Sequence, residues 1–295
     1  MVSVQPSPIS PHGGARIDLP GRYGPIAALR VTPAEPALGA TALLLPGFTG
    51  SKEDFVPLLD PIAAAGIGVL AIDLPGQYES VGPDDEAAYL PDALGEPVAE
   101  LVESLVADGE RILLLGHSYG GLVARGTVLA GARVAGLTLL DSGPGELPPG
   151  FRRAVLDAQE PVLRSGGMAA AAQLRAQLDA AAPGWADAPQ ELRDFLHTRF
   201  VRSAAPAILG MADGLRHEPD RVTKLSHALR ALDAPCLVLC GADDDAWSVP
   251  SQRDMADRLD ADFAVIPGAK HSPNVENPTA LLGALLPTWR AWLID

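Results

Sequence analysis

The chain predicts an α/β fold: a mostly parallel, doubly wound central sheet that carries a helical insertion. Three observations lead there. Short apolar runs alternate with segments of helical periodicity along most of the 295 residues, the pattern that builds a parallel sheet covered on both faces. One of those runs, 111–115, leads straight into Gly116-His-Ser-Tyr-Gly-Gly121, which reads as a tight strand-to-helix turn. Between Gly143 and about His217 no strand is readable, and only helical patterns remain.

The elements follow in order. Residues 1–14, rich in Pro, Ser and Gly, read as a loose tail. Residues 15–32 can pair as two strands around Pro20-Gly21, and 41–45 is a buried strand. Ser51-Lys-Glu-Asp54 has the form of a capping box, followed by Phe55, Leu58, Leu59 and Ile62 on one helical face. A strand over 67–72 and a helix over about 86–107 come next. Strands at 111–115 and 134–140 flank the helix that starts after Ser118. The last strands are 234–240 and 262–266. Asn277-Pro278 opens the closing helix, with Asn as N-cap and a proline suited to the first turn. Its apolar stripe is Leu281, Leu285, Trp289 and Leu293, and Trp289 and Trp292 are expected to pack on the core. In the strandless stretch, helices are expected over 151–164, 168–182 and 189–202, with Leu192, Phe195, Leu196 and Phe200 on one face and breaks at Pro183-Gly184 and Pro189.

Composition narrows the function classes. Hydrophobic residues make up 47% of the chain, enough for a large core. A net charge of -15 argues against nucleic acid and against anionic membranes, whose phosphates call for Lys and Arg. No Cys/His cluster has metal-ligand spacing and no glycine loop has a phosphate-binding pattern, so neither a metal nor an organic cofactor is expected. Cys236 and Cys240 lie four apart on one expected strand. That is about 13 Å at roughly 3.3 Å per residue, beyond the ~7 Å that a disulfide tolerates between α-carbons. The lack of a disulfide framework fits a reducing cytoplasm, and Met1-Val-Ser-Val-Gln-Pro-Ser-Pro has no secretory character. The longest uncharged apolar stretch, 61–72, is too short to span a bilayer. The expected partner is a small, partly apolar substrate, acted on by a monomer or homodimer.

A serine hydroxyl is a poor nucleophile until a base takes its proton, and the base needs a third group to orient it. On a strand-turn-helix serine site, the acid and then the histidine follow in chain order. Gly241-Ala-Asp-Asp-Asp245 closes one strand, and His271 lies in the loop after the next. Of the six histidines, at 12, 117, 197, 217, 227 and 271, only His271 comes after that acidic cluster. Ser118, one acid of the cluster and His271 therefore form the candidate triad, at the strand ends where ligands bind in such sheets. Asp141 is a second strand-end acid, before Ser142-Gly-Pro-Gly145. It could act as a substitute acid, line the pocket, or hydrogen-bond the turn into the insertion, which is the favoured reading.

Leu43-Leu-Leu-Pro-Gly-Phe-Thr-Gly50, Ala71-Ile-Asp-Leu-Pro-Gly76, Gly116-His-Ser-Tyr-Gly-Gly121, Gly241-Ala-Asp-Asp244 and His271-Ser-Pro273 together resemble the α/β-hydrolase family, from about residue 15 to the end. The resemblance implies that Ser118 is the nucleophile, that Asp244, three residues after Gly241, is the acid, with Asp243 and Asp245 as adjacent candidates, and that His271 is the general base. It implies an oxyanion hole made by the backbone N–H groups of Phe48 and Tyr119. It also implies a core of 15–144 and 218–295, with 145–217 as a cap that excludes water and selects the substrate. The chain departs from the family at Pro46-Gly47, where His-Gly is usual, and at Pro75-Gly-Gln-Tyr-Glu-Ser80, where Arg-Gly-x-Gly-x-Ser is commoner. Gln77 and Tyr78 there either reach the site entrance or fill a loop. The chemistry so implied is acyl transfer to water from a small carboxylic ester, thioester or lactone. C–C bond hydrolysis or cofactor-free perhydrolysis on the same triad is the first alternative, and a ligand-binding protein without turnover is the second.

Overall fold

Residues 6–182 and 184–294 are described by the computed structural model, and among them eight strands form one sheet. These are β1 (Ala15–Leu19), β2 (Ile26–Val31), β3 (Ala40–Leu45), β4 (Gly68–Ile72), β5 (Arg111–His117), β6 (Gly136–Leu140), β7 (Cys236–Gly241) and β8 (Asp262–Ile266). The helices are α1 (Val56–Ala64), α2 (Pro91–Ala107), α3 (Tyr119–Leu129), α4 (Phe151–Ala180), α5 (Gln190–Arg202), α6 (Ala205–His217), α7 (Val222–Leu232), α8 (Val249–Leu259), α9 (Pro273–Glu276) and α10 (Pro278–Ile294). The strands lie in the order β1-β2-β4-β3-β5-β6-β7-β8. β2 runs antiparallel to β1 and β4, and every pairing from β4 across to β8 is parallel. The predicted mostly parallel, doubly wound sheet is the one that forms.

The central strands are apolar without a break because they are buried on both faces. Alternation then divides each strand between two cores. Leu43 and Leu45 of β3 join Leu114, Leu139 and Val238 under α2, α3, α7 and α8. Ala42 and Leu44 join Leu113, Leu115 and Leu239 under α1 and α10. Trp289 is completely buried in that second core, where its Nε1–H donates to Thr138 Oγ1 at 2.9 Å, while Trp292 is half-buried at its edge. Cys236 and Cys240 are buried and unpaired.

Some boundaries move for local reasons. The helix expected over 86–107 is a single 3-10 turn, Glu86–Tyr89, followed by α2 from Pro91. Pro91 lacks an N–H and suits a first turn, and it forces Leu90 into an extended conformation. A 3-10 turn, Lys52–Phe55, also precedes α1; the Asp54 carboxylate accepts from Ser51 N–H at 3.2 Å, as a capping box requires of that residue. The helices expected over 151–164 and 168–182 run together as α4 with a kink at Gly167. Pro183 and residues 1–5 of the expected tail lie outside the described residues. Gly13, near the end of that tail, donates its N–H to the Asp60 carboxylate at 3.0 Å.

Four helices were not read from the sequence: α6, α7, α8 and α9. Of these, α6 contains Pro206, Gly210 and Gly214, residue types that weaken a helix interior. Pro206 occupies the first turn, and a Cβ on Gly214 would stand 2.6 Å from the Tyr119 hydroxyl. The missing side chain lets α6 press onto α3. The helical insertion has a small core of its own, Leu163, Ala171, Ala172, Phe200, Ile208 and Leu209, against which Phe48 packs. It rests on the loops that follow β3 and β4: Arg199 pairs with Asp54, and Ala204 N–H donates to Gly76 O at 2.8 Å. Of the predicted apolar face on α5, only Phe200 is buried. Among the described residues no helix is long and apolar enough to cross a membrane.

Candidate active site

β5 ends at His117 and α3 begins at Tyr119, so Ser118 alone makes the turn, with φ 54° and ψ -119°. Such a conformation costs of order 1–3 kcal/mol and persists only where the surroundings enforce it. Here they do. Ser118 N–H donates to Leu140 O of β6 at 2.8 Å. A Cβ on Gly120 would lie 2.6 Å from Pro46 O, and one on Gly116 would lie 2.6 Å from Gly121 Cα, so neither position tolerates a side chain.

The loop after β8 carries His271 to this turn. Its Nε2 is 2.9 Å from Ser118 Oγ, and its Nδ1 is 2.8 Å from Asp244 Oδ1. With Nδ1–H donated to the carboxylate, Nε2 is the acceptor for the serine proton. Ser118 and His271 are each 7% exposed, so the pair is covered.

Of the three adjacent acids, Asp244 turns inward. Its Oδ1 also accepts from Ala246 N–H at 2.9 Å, and its Oδ2 accepts from Gln252 Nε2 at 2.7 Å. Burial disfavours its charge, but the hydrogen bond and charge of His271 and the Ala246 N–H overcome that and hold its pKa below the usual carboxylate range. Asp243 and Asp245 are exposed, and Asp245 pairs with Arg152 at 2.6 Å. Asp141, at the end of β6, accepts from Gly241 N–H at 2.8 Å. Its hydrogen bond thus goes to the end of β7 and not, as favoured from sequence, to the turn into the insertion. Burial, and then the charge of Asp244, pushes the Asp141 carboxyl well above its ordinary pKa. Asp141, Asp244 and His271 place ligand atoms within 4.8 Å of one another, the one grouping of the described residues with metal-ligand spacing, although His271 Nδ1 and Asp244 are already bonded to each other.

The loop after β3 forms the other wall. A Cβ on Gly47 would be 3.1 Å from Ser118 Cβ. Neither Phe48 N–H, in the next peptide, nor Tyr119 N–H, the first of α3, donates to a protein backbone acceptor among the described residues. Two unpartnered N–H groups beside a serine, one at a helix N-terminus with its partial positive charge, can receive a developing oxyanion.

Two neighbours of this site, His117 and Gln252, escaped the reading of the sequence, and a third, Gln77, was read only as reaching the site entrance or filling a loop. His117 Nε2–H donates to the His271 carbonyl at 2.6 Å. Desolvation, then the charge of His271, lowers its pKa to about 4 and keeps the ring neutral. Gln252 is fully buried on α8 and holds both Asp244 and the Trp247 carbonyl, the latter at 2.8 Å. A signal existed for it: Gln252 shares its helical stripe with Met255, Ala256 and Leu259, where an amide is out of place unless it bonds something buried. Gln77 is buried against Gly47 O, to which its Nε2 donates at 2.8 Å. Tyr78 turns the other way, under Lys52 Nζ at 4.7 Å and edge-on to Phe195. Lys52 is itself buried, paired with Glu53, Asp73 and Glu79.

Known proteins agree with this architecture. The chain is 28% identical over 254 residues, 85% of its length and 92% of the other, to a Variovorax paradoxus protein that carries the provisional name carbamate hydrolase RutD. A thermophilic esterase from Thermogutta terrifontis superposes with a TM-score of 0.71 at 23% identity, covering 94% of this chain and 99% of that one. The esterase EaEST from Exiguobacterium antarcticum does so with a TM-score of 0.71 at 16% identity, covering 95% and 100%. At those identities the two structures speak for the fold alone. The sequence model described as the alpha/beta hydrolase family matches residues 42–284, and the chain belongs to that family of hydrolytic enzymes.

Proposed function

We propose that the protein is a serine esterase that hydrolyses a small, partly apolar carboxylic ester through an acyl-enzyme on Ser118. The unbroken hydrogen-bond line from Asp244 through His271 to Ser118 carries this reading. In it, Ser118 Oγ attacks the ester carbonyl while His271 Nε2 takes the proton, and Asp244 fixes the imidazole and offsets its charge. The Phe48 and Tyr119 N–H groups hold the tetrahedral oxyanion. His271 returns the proton to the leaving alcohol, then activates the water that releases the acid. Residues 145–217 act as the cap. The burial of Ser118 and His271 beneath the loops that the insertion contacts favours that role.

The test is labelling with a fluorophosphonate and hydrolysis of p-nitrophenyl esters of graded acyl length, with Ser118→Ala as control. Labelling and turnover that both vanish in the variant support the reading; a wild-type protein that does neither overturns it. A second reading is carbamate hydrolysis on the same triad, favoured by the name of the Variovorax relative. A carbamate ester with a higher kcat/KM than the matching carboxylic ester would move it first.

A further inference from the structure

We propose that Gln77 is a positioning residue of the oxyanion hole: its side-chain amide sets the direction of the peptide whose N–H meets the developing charge. The inference rests on the acyl-transfer reading above. The Gly47–Phe48 peptide is planar and trans, so its C=O and N–H point in opposite directions and whatever orients one orients the other. Gln77 Nε2 donates to Gly47 O at 2.8 Å, and Gln77 Oε1 accepts from Leu74 N–H at 3.1 Å. The amide is therefore held at both ends, between the loop after β4 and the loop after β3. It is 1% exposed, so water does not compete for either bond. Met211 of α6 closes the remaining side, with its sulfur 3.8 Å from Nε2.

The same peptide is beside the nucleophile, since Gly47 and Ser118 are separated by little more than a van der Waals contact. Glycine at 47 makes that peptide easy to rotate, because no side chain opposes the change in ψ. Rotation would withdraw the Phe48 N–H and turn the Gly47 carbonyl toward the oxyanion. The other bond to Gly47 O comes from Gly50 N–H at 3.0 Å, within the same tight turn, so it moves with the loop. Gln77 is the restraint that comes from outside the loop.

Gln77→Leu keeps the bulk and removes both bonds. Gln77→Glu keeps the acceptor for Leu74 N–H but sets a carboxylate oxygen against the Gly47 carbonyl. Loss of a whole oxyanion donor costs about 10²–10³ in kcat; loss of its orientation should lower kcat by about 10–100-fold in both variants. The experiment measures kcat and KM for p-nitrophenyl butyrate, normalised to active sites titrated by the fluorophosphonate, together with the labelling rate, the pH profile and the melting temperature. The expected result is a lowered kcat per titrated site, a labelling rate lowered in proportion, KM within about threefold, and an unchanged pH profile. A merely structural role would lower the melting temperature and the number of titrated sites and leave kcat per site alone. kcat per site within twofold of wild type in either folded variant overturns the assignment of Gln77. A wild-type protein without labelling or turnover overturns the acyl-transfer reading instead, and the inference falls with it.

Discussion

In α3, which starts at the nucleophile, ten of eleven residues are buried; in α5, which lies in the insertion above it, only Phe200 of thirteen is. The two regions solve different problems. Around the site each functional group has restraints from several elements. Asp244 alone accepts hydrogen bonds from His271, Ala246 and Gln252. Within the insertion, α6 joins the main core through Ala207, Met211, Ala212 and Leu215, whereas α5 and most of α4 are held by one small apolar cluster and by ion pairs such as Arg164–Glu86 and Arg175–Asp179, with partly exposed side chains. The acyl transfer we propose loses rate when a reacting group shifts by an ångström, and the groups assigned to it sit where packing is complete. If residues 145–217 select the substrate as proposed, that surface tolerates more latitude, and α4 and α5 stand on weaker supports.

The contrast breaks most sharply at the acids. Asp244→Asn should lower kcat by about 10⁴, because an amide facing His271 no longer stabilises the imidazolium or selects its tautomer. Asp245→Asn, which removes only an exposed pair with Arg152, should leave kcat within about twofold. Steady-state kinetics on one ester decide both. If the two variants were equally impaired, the inward placement of Asp244 would not be what matters.

The next effect is on stability. Arg125 of α3 is buried and pairs with buried Glu218, while its Nη1 donates to Pro144 O at 2.7 Å. Removing one partner of a buried pair strands the other and costs about 3–5 kcal/mol. Arg125→Ala should fall at the low end of that range, since Arg221 remains 3.4 Å from Glu218. Urea denaturation measures it.

A smaller, pH-dependent effect belongs to His117. Its pKa is lowered from 6.5 to about 4, by desolvation first and His271 second. Between pH 6.5 and about 4 the unfolded chain therefore binds a proton that the folded chain does not. Stability from this group is full above pH 6.5 and falls as pH drops through that window, by up to about 1.4 kcal/mol per pH unit. Asp73 works with the opposite sign, because burial raises its pKa to about 6 and its protonation favours the fold as pH falls below that value. His117→Gln keeps an N–H donor for the His271 carbonyl and removes the titration. The difference between variant and wild type, in which Asp73 cancels, should shrink or reverse from pH 7 to pH 4.5. A constant difference would mean that His117 does not titrate below its ordinary range.

The two regions also differed in how much of each could be read from sequence. The strands of the core were legible because burial on both faces demands continuous apolar runs, and Gly116 and Gly120 because the turn at Ser118 admits no side chain. α6 was not, because Gly214 is required by a contact with Tyr119, 95 positions away in the chain, and in sequence such a glycine only looks like a break. His117, Gln252 and Gln77 share that opacity. Each is a polar residue whose partner comes from another element or turn, and only Gln252, on the apolar stripe of α8, carries a local sign of burial. Among the three acids the spacing alone left the choice open; Asp244 N–H bonded to Gly241 O at 3.3 Å and the Gln252 amide beyond it are features of the folded turn.

The smallest expected effect tests the weak side of the comparison. Arg164, in α4, bonds Glu86 at 2.7 and 2.8 Å and Glu160 at 2.7 Å, a geometry as good as any around the active site. Yet its side chain is 48% exposed and those of Glu86 and Glu160 are 39% and 31% exposed. Water solvates these charges well in the unfolded chain, and two long side chains lose rotamer freedom to meet, so short distances do not translate into stability. Arg164→Ala should therefore cost no more than about 1 kcal/mol in urea denaturation, against the several expected for Arg125→Ala. A loss in Arg164→Ala as large as that in Arg125→Ala would mean that the insertion is fastened to the Glu86–Tyr89 turn as firmly as the core is to itself. Substrate selection by the proposed cap would then not rest on a lightly held surface.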